Sequence, residues 1–178
     1  IKKNPEIGIV KMEVTRNIEP KNNFLKKVRN LATKNGIVLV FDECTSGFRE
    51  TYGGIYKKYG VEPDLVMYGK TLGNGYGITA VVGKKSIMEV SQNTFISSTF
   101  WTERIGPSAA LATLDEMKKL QSWKKITAIG NKVRNGWLKL SKNRFPTSKV
   151  INTSEVGGGP QSPCFRITFI VVECTCFI

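Results

Sequence analysis

The chain has 178 residues, of which 27 are Lys or Arg and 14 are Asp or Glu, giving a formal net charge of +13. It contains no histidine, which excludes Ser-His-Asp or Cys-His catalysis and any histidine-ligated metal site within these residues. The basic residues are scattered without a block of five or six, which is typical of solvated helix faces and argues against nucleic acid as a partner.

The four cysteines are Cys44, Cys164, Cys174 and Cys176. They do not form the two Cys-x-x-Cys units of a zinc site, so we expect reduced thiols and no bound metal. No apolar run reaches the roughly 20 residues of a membrane-spanning helix, and no secretory signal opens the sequence. We therefore expect a cytoplasmic protein that does not bind membranes.

The first predicted elements are a strand, a helix and a second strand. Ile7 to Glu13 reads as a short strand, and apolar residues recur at helical spacing from Phe24 to Ala32. Asn35-Gly36 is a typical helix stop, and the apolar run Ile37 to Phe41 predicts the second strand. This order predicts two parallel strands joined by a right-handed crossover.

Two predicted strands each lead into a charged residue. Asp42 follows the strand Ile37 to Phe41, and Lys70 follows a third strand from Leu65 to Gly69. Short runs rich in Val, Ile and Leu are typical of parallel strands buried on both faces. Ligands bind such sheets outside the carboxyl ends of the strands. We therefore expect Asp42 and Lys70 to line one pocket.

Lys70 has three possible roles on this evidence. Gly69-Lys70-Thr71 resembles the end of a P-loop, but that motif requires glycine where Asp64 stands, so a P-loop is rejected. A solvated surface lysine is the simplest alternative. A nucleophilic amine that forms a Schiff base with a carbonyl cofactor is the third, and it requires a carboxylate facing the cofactor ring.

The remaining elements follow in chain order. The glycines at 73, 75 and 77 allow tight turns beside Lys70. We predict an irregular or helical excursion from Arg49 to Tyr59, a strand from Thr79 to Val82 and a short helix from Ser86 to Val90. A longer helix is expected to open at Pro107 and run through Met117, and an amphipathic helix to follow from Trp123 to Leu140. The last predicted elements are a turn at residues 157–160 and a strand at residues 164–172.

Two segments around Asp42 and Lys70 resemble motifs of a known family. Phe41-Asp-Glu-Cys-Thr-Ser-Gly-Phe-Arg49 resembles "FDEVxTGFR", and Pro63 to Lys70 with Leu72-Gly-Asn-Gly75 resembles "PDLxxxGKxxGGG". These are motifs of the class III (fold-type I) pyridoxal-phosphate aminotransferases, which include glutamate-1-semialdehyde aminomutase. The 28 positions between Asp42 and Lys70 equal the separation expected for that family's aspartate and lysine.

A third segment, Thr102 through Pro107, resembles the family's "TxxGNP", with Ile105-Gly106 where Gly-Asn is usual. The resemblance runs from about Ile7 to Asn143. Members of the family are more than twice as long, so we expect this chain to be an internal or truncated piece of a larger enzyme.

The resemblance implies a role for each of five residues. Lys70 would be the Schiff-base lysine and proton shuttle, and Asp42 the partner of the pyridinium nitrogen of pyridoxal phosphate. Cys44 would replace a valine that packs under the cofactor ring, and Thr45 would lie near the phenolic oxygen. Thr102 would bind the phosphate of the neighbouring subunit in a homodimer.

Alternatives remain for several positions. Thr99 is a second candidate for the phosphate-binding threonine, and a hydroxyl just before a helix is equally typical of an N-cap. Glu13 resembles a glutamate of the family, but a structural ion pair explains it as well. Arg49 is expected to pair with Glu43.

The sequence therefore predicts an α/β fold with a mostly parallel sheet and flanking helices. Residues 1–120 would form part of the cofactor-binding large domain, and residues 121–178 a linker helix and part of a small C-terminal domain. The expected activity is pyridoxal-phosphate-dependent amino transfer between a small amino donor and an oxo acceptor. The alternatives are a 2,1-aminomutase or an inactive truncated fragment.

Overall fold

The computed structural model describes residues 4–16, 19–96, 99 and 102–144. Its sheet has the strand order β1-β2-β3-β4, with β1 at Ile9–Glu13, β2 at Val38–Asp42, β3 at Leu65–Tyr68 and β4 at Ala80–Gly83. The first three strands are parallel to one another, and β4 runs antiparallel to β3. The predicted mostly parallel sheet with flanking helices is confirmed.

In the residues that the structure describes, four helices accompany the sheet: α1 at Phe24–Lys34, α2 at Lys85–Met88, α3 at Ile105–Leu120 and α4 at Ser122–Arg144. Short 3-10 turns lie at Ile55–Tyr59, Lys70–Leu72 and Glu89–Asn93. The turn and strand predicted at residues 157–160 and 164–172 lie outside the described residues. Within the described part of the chain, no helix combines the length and apolarity needed to cross a bilayer.

Helix α3 begins two residues earlier than predicted. The expected start at Pro107 is wrong, because Pro107 is the third residue of the helix. The carboxylate of Glu103 accepts hydrogen bonds from the backbone amides of Ile105 and Gly106, the latter at 3.0 Å. An acidic side chain at this position satisfies amides that lack partners within the helix and also favours the helix dipole.

Strand β2 is the centre of the core. Leu39 and Phe41 on one face are fully buried, and Val40 on the other face is 7% exposed. Burial on both faces is what the continuous apolar run predicted. Helix α1 covers the sheet with Leu25 and Ala32, and the chain then turns back into β2 through Gly36, whose φ of 65° suits glycine. This packing fixes the position of the carboxyl end of β2.

Candidate active site

The carboxyl ends of three parallel strands meet at one edge of the sheet. In register, Asp42 at the end of β2 lies beside Glu13 of β1 and Met67 of β3. Lys70 follows β3 after Gly69 and opens the 3-10 turn Lys70–Leu72. The strand register thus agrees with the sequence prediction that Asp42 and Lys70 reach the same edge of the sheet.

Asp42 is held through both carboxylate oxygens. The Cys44 amide donates to Oδ1 at 3.1 Å, and the Lys11 ammonium lies 3.0 Å from Oδ2. The hydrogen bond from Lys11 lowers the pKa of Asp42, burial raises it, and the Cys44 amide lowers it further, so the net shift is downward. The lowered pKa keeps the carboxylate ionised at neutral pH. Because the Asp42 side chain is 24% exposed, it is also accessible to a ligand.

Lys70 has an unusual backbone conformation. Its φ is 44°, in the left-handed region that residues other than glycine rarely occupy. The turn that follows is closed by the Leu72 amide, which donates to the Gly69 carbonyl at 3.0 Å. The Lys70 ammonium donates to the Thr45 hydroxyl at 3.1 Å. Strained backbone of this kind clusters at functional sites, and here it directs the amine toward the loop that follows Asp42.

Cys44 lies between the two strand ends. A Cβ added to Gly69 would come within 3.3 Å of the Cys44 sulfur and of the Thr79 methyl group, so the side chain packs closely against the Lys70 loop. Burial raises the pKa of the Cys44 thiol, and the hydrogen bond to Asp42 raises it further. The thiol is therefore protonated at neutral pH, which suits a small apolar packing group better than a nucleophile.

The predicted ion pair between Arg49 and Glu43 is wrong. Glu43 is fully buried, where it accepts hydrogen bonds from the Ser46 hydroxyl and from the Tyr56 amide, the latter at 3.1 Å. Arg49 instead donates its Nε to the Thr45 carbonyl at 2.6 Å. The short segment Glu43-Cys-Thr-Ser46 after β2 did not indicate from sequence which of its side chains turns inward. Glu43 anchors the loop that carries Thr45.

Glu13 forms a structural ion pair, which was the alternative to a family role for this residue. Its carboxylate lies 3.8 Å from Arg16 in a partly exposed ion pair. Such pairs contribute little to stability, typically about 0–1 kcal/mol.

The start of α3 packs against the glycine loop that follows Lys70. A Cβ on Gly106 would lie 3.4 Å from Ile78 and 3.6 Å from the Gly77 carbonyl. Thr102 and Thr99 are both exposed ahead of this helix. Because Glu103 caps the first amides, those donors are already occupied and do not need a hydroxyl cap.

An open depression of about 490 Å³ lies beside the start of α3. It is lined by Tyr76, Arg104, Ile105, Ser108 and Ala109. None of the predicted site residues contributes to its lining. In the described ranges, no three His, Cys, Asp or Glu side chains lie close enough together to hold a metal ion.

Sequence reasoning missed Lys11 as a neighbour of Asp42. The signal was present, because Lys11 interrupts an apolar strand with a charge on the same face as Glu13. Its partner could not be identified without the register between β1 and β2. This edge of the sheet therefore presents two groups. The Asp42 carboxylate is held as the anion by Lys11, and the Lys70 side chain donates a hydrogen bond to the Thr45 hydroxyl. A carboxylate held as the anion can accept a hydrogen bond from a cationic donor, and a lysine amine in its unprotonated form can attack a carbonyl carbon.

Comparisons with known proteins identify the family. The family model described as aminotransferase class-III matches residues 17–153. A 3-aminobutyryl-CoA aminotransferase from Cloacimonas acidaminovorans is 41% identical over 114 residues, which is 64% of this chain and 28% of that protein. A glutamate-1-semialdehyde 2,1-aminomutase from Bdellovibrio bacteriovorus is 35% identical over 154 residues, covering 83% of this chain and 36% of that protein.

Solved structures give the same fold. The PLP internal aldimine form of the Sphingopyxis FumI protein matches with a TM-score of 0.71 at 26% identity, over 80% of this chain and 36% of that one. The chain thus spans about a third of the length of the proteins it matches.

Proposed function

Because this chain belongs to the class III aminotransferase family, we propose that the full-length protein is a pyridoxal-phosphate-dependent aminotransferase. It moves an amino group from a small amino donor to an oxo acceptor. One observation carries the proposal: Asp42, with its lowered pKa, and Lys70 follow adjacent parallel strands at one edge of the sheet. Two relatives whose names describe amino-group chemistry support it.

The residues at this edge fit pyridoxal phosphate. When bound, the cofactor supplies an aldehyde carbon and a protonated pyridine ring that withdraws electrons from the substrate carbon. Asp42 would face the ring nitrogen, where its negative charge would favour the protonated form of that nitrogen. Lys70 would hold the cofactor covalently through Nζ. Once free, Nζ of Lys70 would act as the base that takes up the proton from the substrate carbon and gives it up again.

Neighbouring side chains orient these two groups. Thr45 accepts the hydrogen bond from Lys70, and we assign it a place near the cofactor's phenolic oxygen. The protonated thiol of Cys44 fills the space between the two strand ends and packs under the ring. Together they would keep the Lys70 amine near its working position beside the cofactor.

The assembly is part of the proposal. We infer a cytoplasmic homodimer in which Thr102 binds the cofactor phosphate of the neighbouring subunit. Phe95 supports an interface nearby, because it is 96% exposed and large aromatic residues favour interfaces. Since Glu103 occupies the amides of Ile105 and Gly106, the Thr102 hydroxyl and not these amides would contact the phosphate.

The domain assignment is also proposed. Residues 1–120 would form part of the large domain that binds the cofactor. Residues 121–178 would form a linker helix, which is α4 (Ser122–Arg144), and part of a small C-terminal domain. The ring contact between Tyr52 and Trp123, with centroids 5.3 Å apart, supports a fixed attachment of the first turn of α4 to the large domain.

The covalent role of Lys70 has a direct test. The full-length protein is loaded with pyridoxal phosphate and reduced with borohydride, and the modified peptide is mapped by mass spectrometry. We expect a pyridoxyl adduct on Lys70 and its loss, together with turnover, in Lys70→Ala. Lys85→Ala is the matched control, because Lys85 is exposed after β4. An adduct on another lysine would contradict the assignment.

A 2,1-aminomutase is the second candidate, favoured by the similarity to the Bdellovibrio protein over 83% of this chain. The two activities differ in their need for a second substrate. An aminotransferase requires an oxo acceptor to complete its cycle, whereas a mutase returns the amino group to a neighbouring carbon of the same skeleton. A panel of amino donors, each assayed with and without an oxo acid, separates the two.

A further inference from the structure

Lys11 and Asp42 lie on one face of two paired strands. In the register of β1 and β2, Lys11 pairs with Val40 and Glu13 pairs with Asp42. Residues two apart on a strand point to the same face, so Lys11 is the diagonal neighbour of Asp42. A long side chain reaches across such a diagonal, and the Lys11 ammonium lies 3.0 Å from Oδ2 of Asp42.

We propose that Lys11 is a positioning residue for Asp42, which fixes the orientation of the carboxylate and keeps it ionised for the cofactor's ring nitrogen. This inference rests on the proposed function, because it concerns the same site. Nothing in the two motifs around Asp42 and Lys70 involves Lys11. Its role follows from the strand register and the ion pair alone.

The arrangement leaves room for a ligand on the carboxylate. Oδ1 accepts from the Cys44 amide and Oδ2 from Lys11, but each carboxylate oxygen has two acceptor positions. A ring N–H can therefore bind Asp42 while both existing contacts persist. With both oxygens held, the carboxylate cannot rotate freely, so a ligand meets an oriented acceptor.

The charged and titratable groups around Asp42 come from each neighbouring element. Strand β1 contributes Lys11 and Glu13, the loop after β2 contributes Cys44, and Lys70 follows β3, whose paired residue Met67 is uncharged. Glu13 lies 3.8 Å from Arg16, which offsets its charge. Lys11 is the leading cause of the lowered pKa of Asp42 and outweighs burial, which acts in the opposite direction.

The sign of the pH dependence follows from this balance. A lowered pKa keeps Asp42 ionised further into the acid range, so cofactor binding that needs the carboxylate anion persists there. Without Lys11 the largest cause that lowers the pKa of Asp42 is lost, so this pKa would rise relative to wild type. Cofactor affinity would then fall at a higher pH. Since Lys11 is about half exposed, solvent screens its charge, and we expect the acid limb of cofactor affinity to move upward by a modest amount.

The test measures cofactor binding and not turnover. Full-length apoenzyme is titrated with pyridoxal phosphate, followed by tryptophan fluorescence, at a series of pH values for wild type, Lys11→Met, Lys11→Gln and Lys11→Arg. We expect the acid limb of the affinity to move upward in the Met and Gln variants and to return in Lys11→Arg. Titrations of the cofactor itself are common to all four proteins and cancel in the comparison. Lys26→Met, on the exposed face of α1, is the matched control and should resemble wild type.

The outcomes separate the two proposals. If wild type binds pyridoxal phosphate and the acid limb is unmoved in Lys11→Met or Lys11→Gln, the role of Lys11 is refuted while the proposed function stands. If both neutral variants shift but Lys11→Arg does not restore the limb, the charge is not what matters and the inference fails. If wild type binds no pyridoxal phosphate at any pH, the proposed function fails and the role of Lys11 fails with it.

Discussion

Replacing the buried Asp64 by Asn should destabilise the sheet in a pH-dependent way. Asp64 is 5% exposed, and its carboxylate joins three parts of the fold. The Leu39 amide of β2 donates to it at 2.8 Å, Arg29 of α1 lies at 2.7 Å, and Lys84 after β4 lies at 2.6 Å. Asn can still accept from the Leu39 amide, but it loses the charge that both cations need.

The magnitude follows from the pKa of Asp64. Burial raises this pKa, but the Leu39 amide, Lys84 and Arg29 together lower it from 3.8 to about 2. Each pH unit corresponds to about 1.4 kcal/mol, so the ionised carboxylate contributes on the order of 2 kcal/mol to the free energy of unfolding at neutral pH. Asp64→Asn should lower stability by about that amount.

The stability that Asp64 contributes changes with pH in a defined direction. A lowered pKa gives stability that is fully present above about pH 4 and is lost as the pH falls through about 2. The difference between wild type and Asp64→Asn should therefore shrink as the solution is acidified, to roughly half of its neutral value at pH 3.

The measurement is urea unfolding of full-length wild type and Asp64→Asn at pH 7, 5 and 3, followed by circular dichroism. Hydrogen exchange at the Leu39 amide reports the local contact. Asp115→Asn on the exposed face of α3 is the matched control and should change stability little at any pH. A difference at pH 7 below about 0.5 kcal/mol, or one that is equal at pH 7 and pH 3, would refute the reasoning.

Two further predictions concern the site. Asp42→Asn should leave the free energy of unfolding nearly unchanged but slow proton abstraction by orders of magnitude, because the charge it removes would stabilise the transition state. Stopped-flow absorbance of the loaded full-length enzyme measures the rate of proton abstraction, and a near-normal rate would contradict this prediction. Thr102→Ala should weaken cofactor retention by ~1–3 kcal/mol. In mixed dimers of Lys70→Ala and Thr102→Ala subunits, half of the sites should carry neither lesion and bind the cofactor normally, whereas defects in every site would place Thr102 in its own subunit's site.

Much of the fold could be predicted because its signals are local. The apolar runs that became β1, β2 and β3 each end where a charged or turn-forming residue begins, and the helical spacing of α1 ends at Asn35-Gly36. The direction of β4 was not predictable in this way, because an apolar run reads the same for parallel and antiparallel pairing. It pairs antiparallel with β3.

The site was predictable only in part, because its contacts differ in sequence separation. Asp42 and Lys70 could be identified from the strand ends that precede them. The contacts of Glu43 depend on which residue after β2 turns inward, and Tyr56, which binds it, lies 13 residues away. The start of α3 was misplaced because Pro107 is a typical first residue of a helix, whereas here the cap comes from Glu103.

The two hydrogen-bond partners of Asp42, the Cys44 amide and Lys11, also differ in their sequence separation from it. The Cys44 amide is two residues away and would be present wherever the loop forms. The Lys11 contact exists only while β1 and β2 keep their register. A slip of one residue would turn Lys11 to the opposite face of the sheet and place an apolar residue beside Asp42. The ionisation of Asp42, and with it the proposed cofactor affinity, is thereby coupled to the pairing of two strands whose register the buried apolar face enforces.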